Sequence, residues 1–147
     1  MGSGKYVYDY PRPMVTVDAV VFSRQGNTRC VLLIQRKRDP FAGAWALPGG
    51  FVEMEETLDA AVARELAEET GLTGVVLGQL RAFGDPGRDP RGRTISVVFW
   101  GVVDGEPADV AGHDDAADAR WFSVDALPDL AFDHDQIIKC ALETLPR

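Results

Sequence analysis

Residues 49–72 read GGFVEMEETLDAAVARELAEETGL, a glycine pair followed by a bounded run of helix formers. Thr57 is an N-cap residue and Gly71 stands where a left-handed C-cap belongs, so the spacing predicts a helix over 58–70. At about 100° per residue, Leu58, Val62 and Leu66 form its apolar stripe. Glu65 and Glu69 fall beside or within that stripe, and Glu68 crowds its edge. Like charges at i, i+4 oppose a helix by about 0.2–0.5 kcal/mol per pair. Negative charge in the last turn opposes the macrodipole by a further ~0.3–1 kcal/mol per group, and partial burial adds desolvation. A divalent cation held by the three carboxylates removes all three penalties, because hard ions take oxygen ligands. On its own, the helix reads equally as a solvated acidic face with Arg64 neutralising one neighbour.

Upstream, residues 14–22 and 30–35 are β-branched or apolar and flank the turn-like Gln25-Gly26-Asn27, which predicts a hairpin with a buried face. Asp39-Pro40, Gly43 and Pro48-Gly49-Gly50 punctuate the next stretch. Trp45-Ala46-Leu47 is therefore expected as a short strand between turns. Downstream, strands are expected over 75–83 and 94–103, joined by a loop over 84–93 rich in Gly, Pro and Arg. Residues 104–118 read as polar loop, 119–123 as a strand, and 132–145 as a second amphipathic helix. Strands mixed with two helices, without regular βαβ alternation, predict an α+β fold. Residues 1–13 are expected as an N-terminal extension and 14–147 as one domain.

The chain has 147 residues, room for one core but not for a second domain of any size. Its 46% hydrophobic and 26% charged residues exclude a disordered or fibrous chain. A net charge of −8 repels nucleic-acid backbones and anionic membranes, so no nucleic-acid polymer and no membrane is expected as partner. Apolar runs all stop short of the roughly 18 residues of a membrane span. Cys30 and Cys140 form no CxxC pair, which suggests a reducing, cytoplasmic home.

Gly50, five residues, Glu56, seven residues, then Arg64-Glu65-Leu66-Ala67-Glu68-Glu69-Thr70-Gly71-Leu72 resembles the Nudix box, GX5EX7REUXEEXGU, at every defined position. The chain thereby resembles the Nudix hydrolases from about Val15 to its last helix. That resemblance implies an α/β/α sandwich, a mixed β-sheet between helices. It also implies Mg²⁺ (or Mn²⁺)-dependent hydrolysis of a nucleoside diphosphate linked to another moiety. Carried over by motif position, Glu65, Glu68 and Glu69 are the metal-binding carboxylates and the Gly49 carbonyl is a further ligand. Arg64 and Glu56 brace the helix. Asp115, ahead of Trp121-Phe122, and Glu65 are the two candidates for general base; a solvated acidic loop explains Asp115 as well.

Residues 39–51, the Arg88 to Arg93 loop and Phe132-Asp133-His134 resemble the ADP-ribose pyrophosphatase-like branch. The resemblance implies cleavage of ADP-ribose to AMP and ribose 5-phosphate, in a homodimer. Arg38, Arg88, Arg91 and Arg93 are candidate phosphate or ribose contacts, since guanidinium groups bind such oxygens in pairs. Solvated loop arginines are the alternative. Phe83, Trp121 and Phe132 are the candidate stacking rings, with core packing as their alternative, and His134 is expected in a capping or structural hydrogen bond. Two rival functions remain open: hydrolysis of oxidised nucleoside triphosphates to monophosphate and pyrophosphate, and a non-catalytic ADP-ribose sensor. Sensors of this kind add a C-terminal DNA-binding domain, and here the sequence stops at Arg147.

Overall fold

The computed structural model describes residues 5–104, 109–110, 112 and 116–145. Strands β1 (Met14–Gln25) and β2 (Thr28–Arg36) form the expected hairpin, with Gln25 paired to Thr28 across Gly26-Asn27. Next come β3 (Trp45–Ala46), β4 (Gly49–Phe51) and helix α1 (Leu58–Thr70). Strands β5 (Gly78–Phe83), β6 (Thr94–Val102) and β7 (Ala116–Ser123) come after it, and α2 (His134–Thr144) closes the order. Among the described residues these seven strands form one sheet in the order β3-β2-β1-β6-β5, with β4 added to β1 and β7 to β2.

Central β1 runs parallel to β6 and antiparallel to β2, so the sheet is mixed. Its residues alternate between two cores. Val17, Ala19 and Val21 pack with Val62 and Leu66 of α1, whereas Val20 and Phe22 pack with Ile137, Ile138 and Ala141 of α2. A strand covered on both faces needs a continuous apolar run rather than an alternating one, and residues 19–22 supply it. The result is the expected α/β/α sandwich within the α+β class.

Helix α1 spans 58–70 as its sequence predicts. The Thr57 hydroxyl accepts from Ala60 N at 3.1 Å, and Gly71, at φ 78°, donates its N–H to the Ala67 carbonyl. Several boundaries differ from expectation, and some have a clear cause. Gly49–Phe51 reads as a turn but forms β4, because the glycine pair lets the backbone lie directly on β1; a Cβ at Gly49 would overlap the Val17 carbonyl. Strand β5 begins at Gly78 rather than Val75, since the preceding segment crosses close over Gly101. Strand β7 starts at Ala116, extended by pairing with β2. Helix α2 starts at His134, because Phe132 takes a left-handed φ of 55° that a helix cannot continue.

Candidate active site

A cavity of about 750 Å³ opens between β4, the C-terminal half of α1, the end of β2 and the start of α2. Glu65, Glu68 and Glu69 form one wall, with Gly49, Gly50 and Phe51 beside them. Their positions result from helical spacing. Glu69 shares the buried face with Leu66 and is 8% exposed, Glu65 is half-buried at the edge, and Glu68 is exposed.

Glu69 Oε1 accepts a 2.7 Å hydrogen bond from Gly49 N–H, tying α1 to β4. Gly50 faces Glu65: a Cβ there would lie 2.6 Å from Glu65 Oε1. The glycine pair therefore admits carboxylates against the backbone, Glu65 at Gly50 and Asp18 at Gly49.

Arg64 is the hub of this wall. It donates from Nε and Nη2 to the two Glu56 oxygens at 2.9 and 2.6 Å, and from Nη2 to the Phe51 carbonyl at 3.3 Å. Its Nη1 reaches Glu65 Oε1 at 2.9 Å and Glu68 Oε2 at 3.2 Å. Helix, loop and β4 are thus locked by one fork-shaped cation. Hydrogen bonds from Arg64 and from Glu53 N–H hold the Glu56 carboxyl down at about 2. The carboxylates around Arg64 push its own pKa up. Burial pushes Glu65 the other way: desolvation raises its carboxyl above the ordinary value and outweighs the pull of Arg64.

Among the described residues, no three His, Cys, Asp or Glu side chains converge as a metal site. Arg64 takes Glu65 and Glu68, and Gly49 N–H takes Glu69. The donor chemistry nevertheless fits a hard divalent cation, with three carboxylates and a neighbouring backbone carbonyl, all of them oxygen.

The arginines divide. Arg38 and Arg91 line the cavity, and Arg91 lies 5.0 Å from the Phe51 ring and 5.5 Å from the Phe132 ring. Asp89 fixes Arg91 from both carboxyl oxygens, at 3.1 and 2.8 Å. Burial would raise the Asp89 pKa, but the Arg91 hydrogen bonds prevail and lower it. Arg88 also reaches the cavity, yet its side chain is 4% exposed and clamped by Asp133 at 2.9 and 2.7 Å. Burial acts to lower the Arg88 pKa; the paired Asp133 carboxylate outweighs it, and the guanidinium stays charged. Arg88 therefore pins the 84–93 loop to the start of α2.

Arg93 and Phe83 are not brought to the cavity. The Arg93 guanidinium donates to the Gly84 carbonyl within its own loop. Phe83 packs against the α2-side core, with Arg81 over its ring at 4.7 Å. Asp115 lies outside the described residues.

Asp18 and His134 on the cavity floor are not marked as site residues by the sequence. The only trace of Asp18 is a lone acid inside an apolar strand. His134 makes the structural hydrogen bond its position suggests, its Nδ1 accepting from Leu47 N–H at 3.0 Å. Burial lowers its pKa against the opposing pull of Asp18 and Asp133, which keeps the ring neutral.

The chain is similar to known proteins over nearly its whole length. It is 47% identical over 130 residues to an ADP-ribose pyrophosphatase of Methanocaldococcus jannaschii, covering 88% of this chain and 73% of that protein. It is 37% identical over 141 residues to an ADPR responsive transcriptional repressor, NtrR, of Acinetobacter baylyi, covering 93% of this chain and 56% of the repressor. The NUDIX domain of Shewanella oneidensis NrtR, solved in complex with ADP ribose, superposes with a TM-score of 0.86 at 34% identity, over 95% of this chain and 94% of that one. With the NUDIX domain family model matching residues 12–141, the chain belongs to the NUDIX family.

Proposed function

We propose that this protein hydrolyses the pyrophosphate bond of ADP-ribose to AMP and ribose 5-phosphate with the help of a divalent cation, Mg²⁺ or Mn²⁺. The observation that carries the reading is the pairing of walls across one cavity: Glu65, Glu68 and Glu69 on one side, Arg38 and Arg91 on another. Similarity to the pyrophosphatase supports the substrate.

In this reading Glu65, Glu68, Glu69 and the Gly49 carbonyl hold the cation. When bound, it neutralises the pyrophosphate, polarises its phosphoryl oxygens and lowers the pKa of an attacking water. The Arg64–Glu56 pair orients the carboxylates. Asp115 or, as the alternative, Glu65 accepts the proton of the attacking water. Arg38 and Arg91 hold phosphate or ribose oxygens, and Arg88 supports them by fixing its loop. We further read the protein as a cytoplasmic homodimer acting on a small nucleotide, not on a nucleic-acid polymer or a membrane. Among the described residues no helix is long and apolar enough to cross a membrane.

Phosphate release with coupled phosphatase, over a panel of ADP-ribose, NADH, diadenosine polyphosphates, UDP- and GDP-sugars and 8-oxo-dGTP in Mg²⁺ and in Mn²⁺, tests this. ADP-ribose is expected to dominate. Preference for the oxidised triphosphate would replace the substrate. The similarity to a transcriptional repressor favours a second reading, a ligand-binding sensor. Tight ADP-ribose binding without turnover in either metal would establish that reading instead.

A further inference from the structure

Asp18 sits 6% exposed in central β1, where an ionised carboxylate is costly unless its oxygens are satisfied. Ser96 Oγ, on the parallel neighbour β6, donates to Asp18 Oδ2. His134 Nε2 lies 3.7 Å from Asp18 Oδ1. On the other side of the same ring, Nδ1 accepts the Leu47 N–H at 3.0 Å. A nitrogen that accepts carries no proton, so the proton of the neutral imidazole is on Nε2, the nitrogen facing the carboxylate.

The line Ser96–Asp18–His134–Leu47 thus ties β6, β1 and α2 to the link between β3 and β4. Its last member begins the segment that forms the cation wall. Pro48 O accepts from Ala19 N at 2.8 Å, and Gly49 N–H donates to Glu69 at 2.7 Å. Gly49 itself rests on Asp18 with no room for a Cβ between them.

We propose that His134, oriented by Asp18, is a positioning residue for cation binding. By holding the Leu47 N–H it fixes where Gly49 presents its carbonyl and where Glu69 meets Gly49. This rests on the reading that Glu65, Glu68, Glu69 and the Gly49 carbonyl hold a divalent cation. Groups that orient ligands in this way change metal affinity by roughly 10–100-fold when removed.

The experiment is Mn²⁺ titration of the purified full chain by electron paramagnetic resonance, without substrate. Wild type, His134→Leu, His134→Asn and Asp18→Asn are compared, each checked for folding by circular dichroism. Asn places an acceptor oxygen at the branch position of Nδ1, whereas Leu offers none. His134→Leu is expected to bind Mn²⁺ at least tenfold more weakly, His134→Asn to recover most of that loss, and Asp18→Asn to fall between. In wild type, long-range ¹H–¹⁵N NMR is expected to find Nδ1 unprotonated.

Folded His134→Leu with wild-type Mn²⁺ affinity overturns the positioning role while leaving the proposed function intact. Should His134→Leu not fold, undiminished affinity in Asp18→Asn overturns it. Wild type that binds no Mn²⁺ overturns the cation reading and this proposal with it.

Discussion

Glu69 and Gly49 are joined across twenty positions of sequence by a 2.7 Å hydrogen bond in which a backbone N–H donates to a buried carboxylate. A residue expected as a metal ligand therefore also closes the contact between α1 and β4. Glu68, one position earlier and exposed, pairs with Arg64 on its own helix. The two should separate on mutation. Glu69→Ala leaves the Gly49 N–H short of its acceptor, at a cost of about 1–3 kcal/mol. At ~2–4 °C per kcal/mol for a chain of this size, the melting temperature drops by several degrees. Glu68→Gln should melt like wild type. Both should lose roughly 10²-fold or more in kcat, as removal of a preorganised electrostatic group does, with ADP-ribose affinity little changed. Calorimetry with steady-state kinetics reads both, and an equal loss of binding and rate in Glu68→Gln would contradict the assignment.

The glycine pair gives a second separation. A methyl at Gly49 meets the backbone of Val17, which cannot withdraw, so Gly49→Ala should cost about 1–3 kcal/mol as overpacking does. A methyl at Gly50 meets the end of the Glu65 side chain instead. Gly50→Ala should therefore fold nearly normally but displace Glu65, lowering kcat more than the melting temperature. Urea unfolding beside kinetics distinguishes them; a strongly destabilised Gly50→Ala with full specific activity would reverse the argument.

Helix α1 is legible in the sequence because its limits are local: a hydroxyl at Thr57, a glycine at Gly71 and a periodic stripe between them. The box then names the carboxylates. Strand β4 is not legible, since Pro48-Gly49-Gly50 carries turn signals and only the presence of β1 turns it into a strand. Nor does composition say which loop arginine faces the cavity. Arg88, Arg91 and Arg93 look alike in sequence, and their partners Asp133, Asp89 and the Gly84 carbonyl decide their orientation. The Asp18 to His134 line joins residues far apart in the chain, and nothing near either one announces the other.

Those partners predict different phenotypes for the loop. Arg88→Ala strands the Asp133 carboxylate, 15% exposed, without its bidentate partner and should destabilise by about 3 kcal/mol or more. Arg91 is 37% exposed and held by one neighbouring aspartate. Arg91→Ala leaves the Asp89 carboxylate, 2% exposed, with only the backbone N–H of residue 91, so it should lower the melting temperature as well as raise the KM for ADP-ribose. Arg93→Ala should leave both near wild type. Unchanged KM in Arg91→Ala would remove it from the substrate contacts.

Acid should probe the Arg64–Glu56 brace. The Glu56 carboxyl titrates at about 2 in the folded chain against an ordinary value of 4.5. A folded-state pKa below the unfolded one means that the unfolded chain binds more protons between those values, so stability rises with pH there. The contribution is complete above pH 4.5 and is lost as pH falls toward 2. Glu56→Gln removes that proton-linked contribution at every pH. Its melting temperature should fall below wild type at pH 7, and the gap should narrow steadily as both are acidified through this window. Thermal melts at half-unit intervals from pH 7 to the lowest pH at which wild type stays folded measure the gap. A gap that stays constant through acidification would mean that the fork between Arg64 and Glu56 is not what depresses the carboxyl.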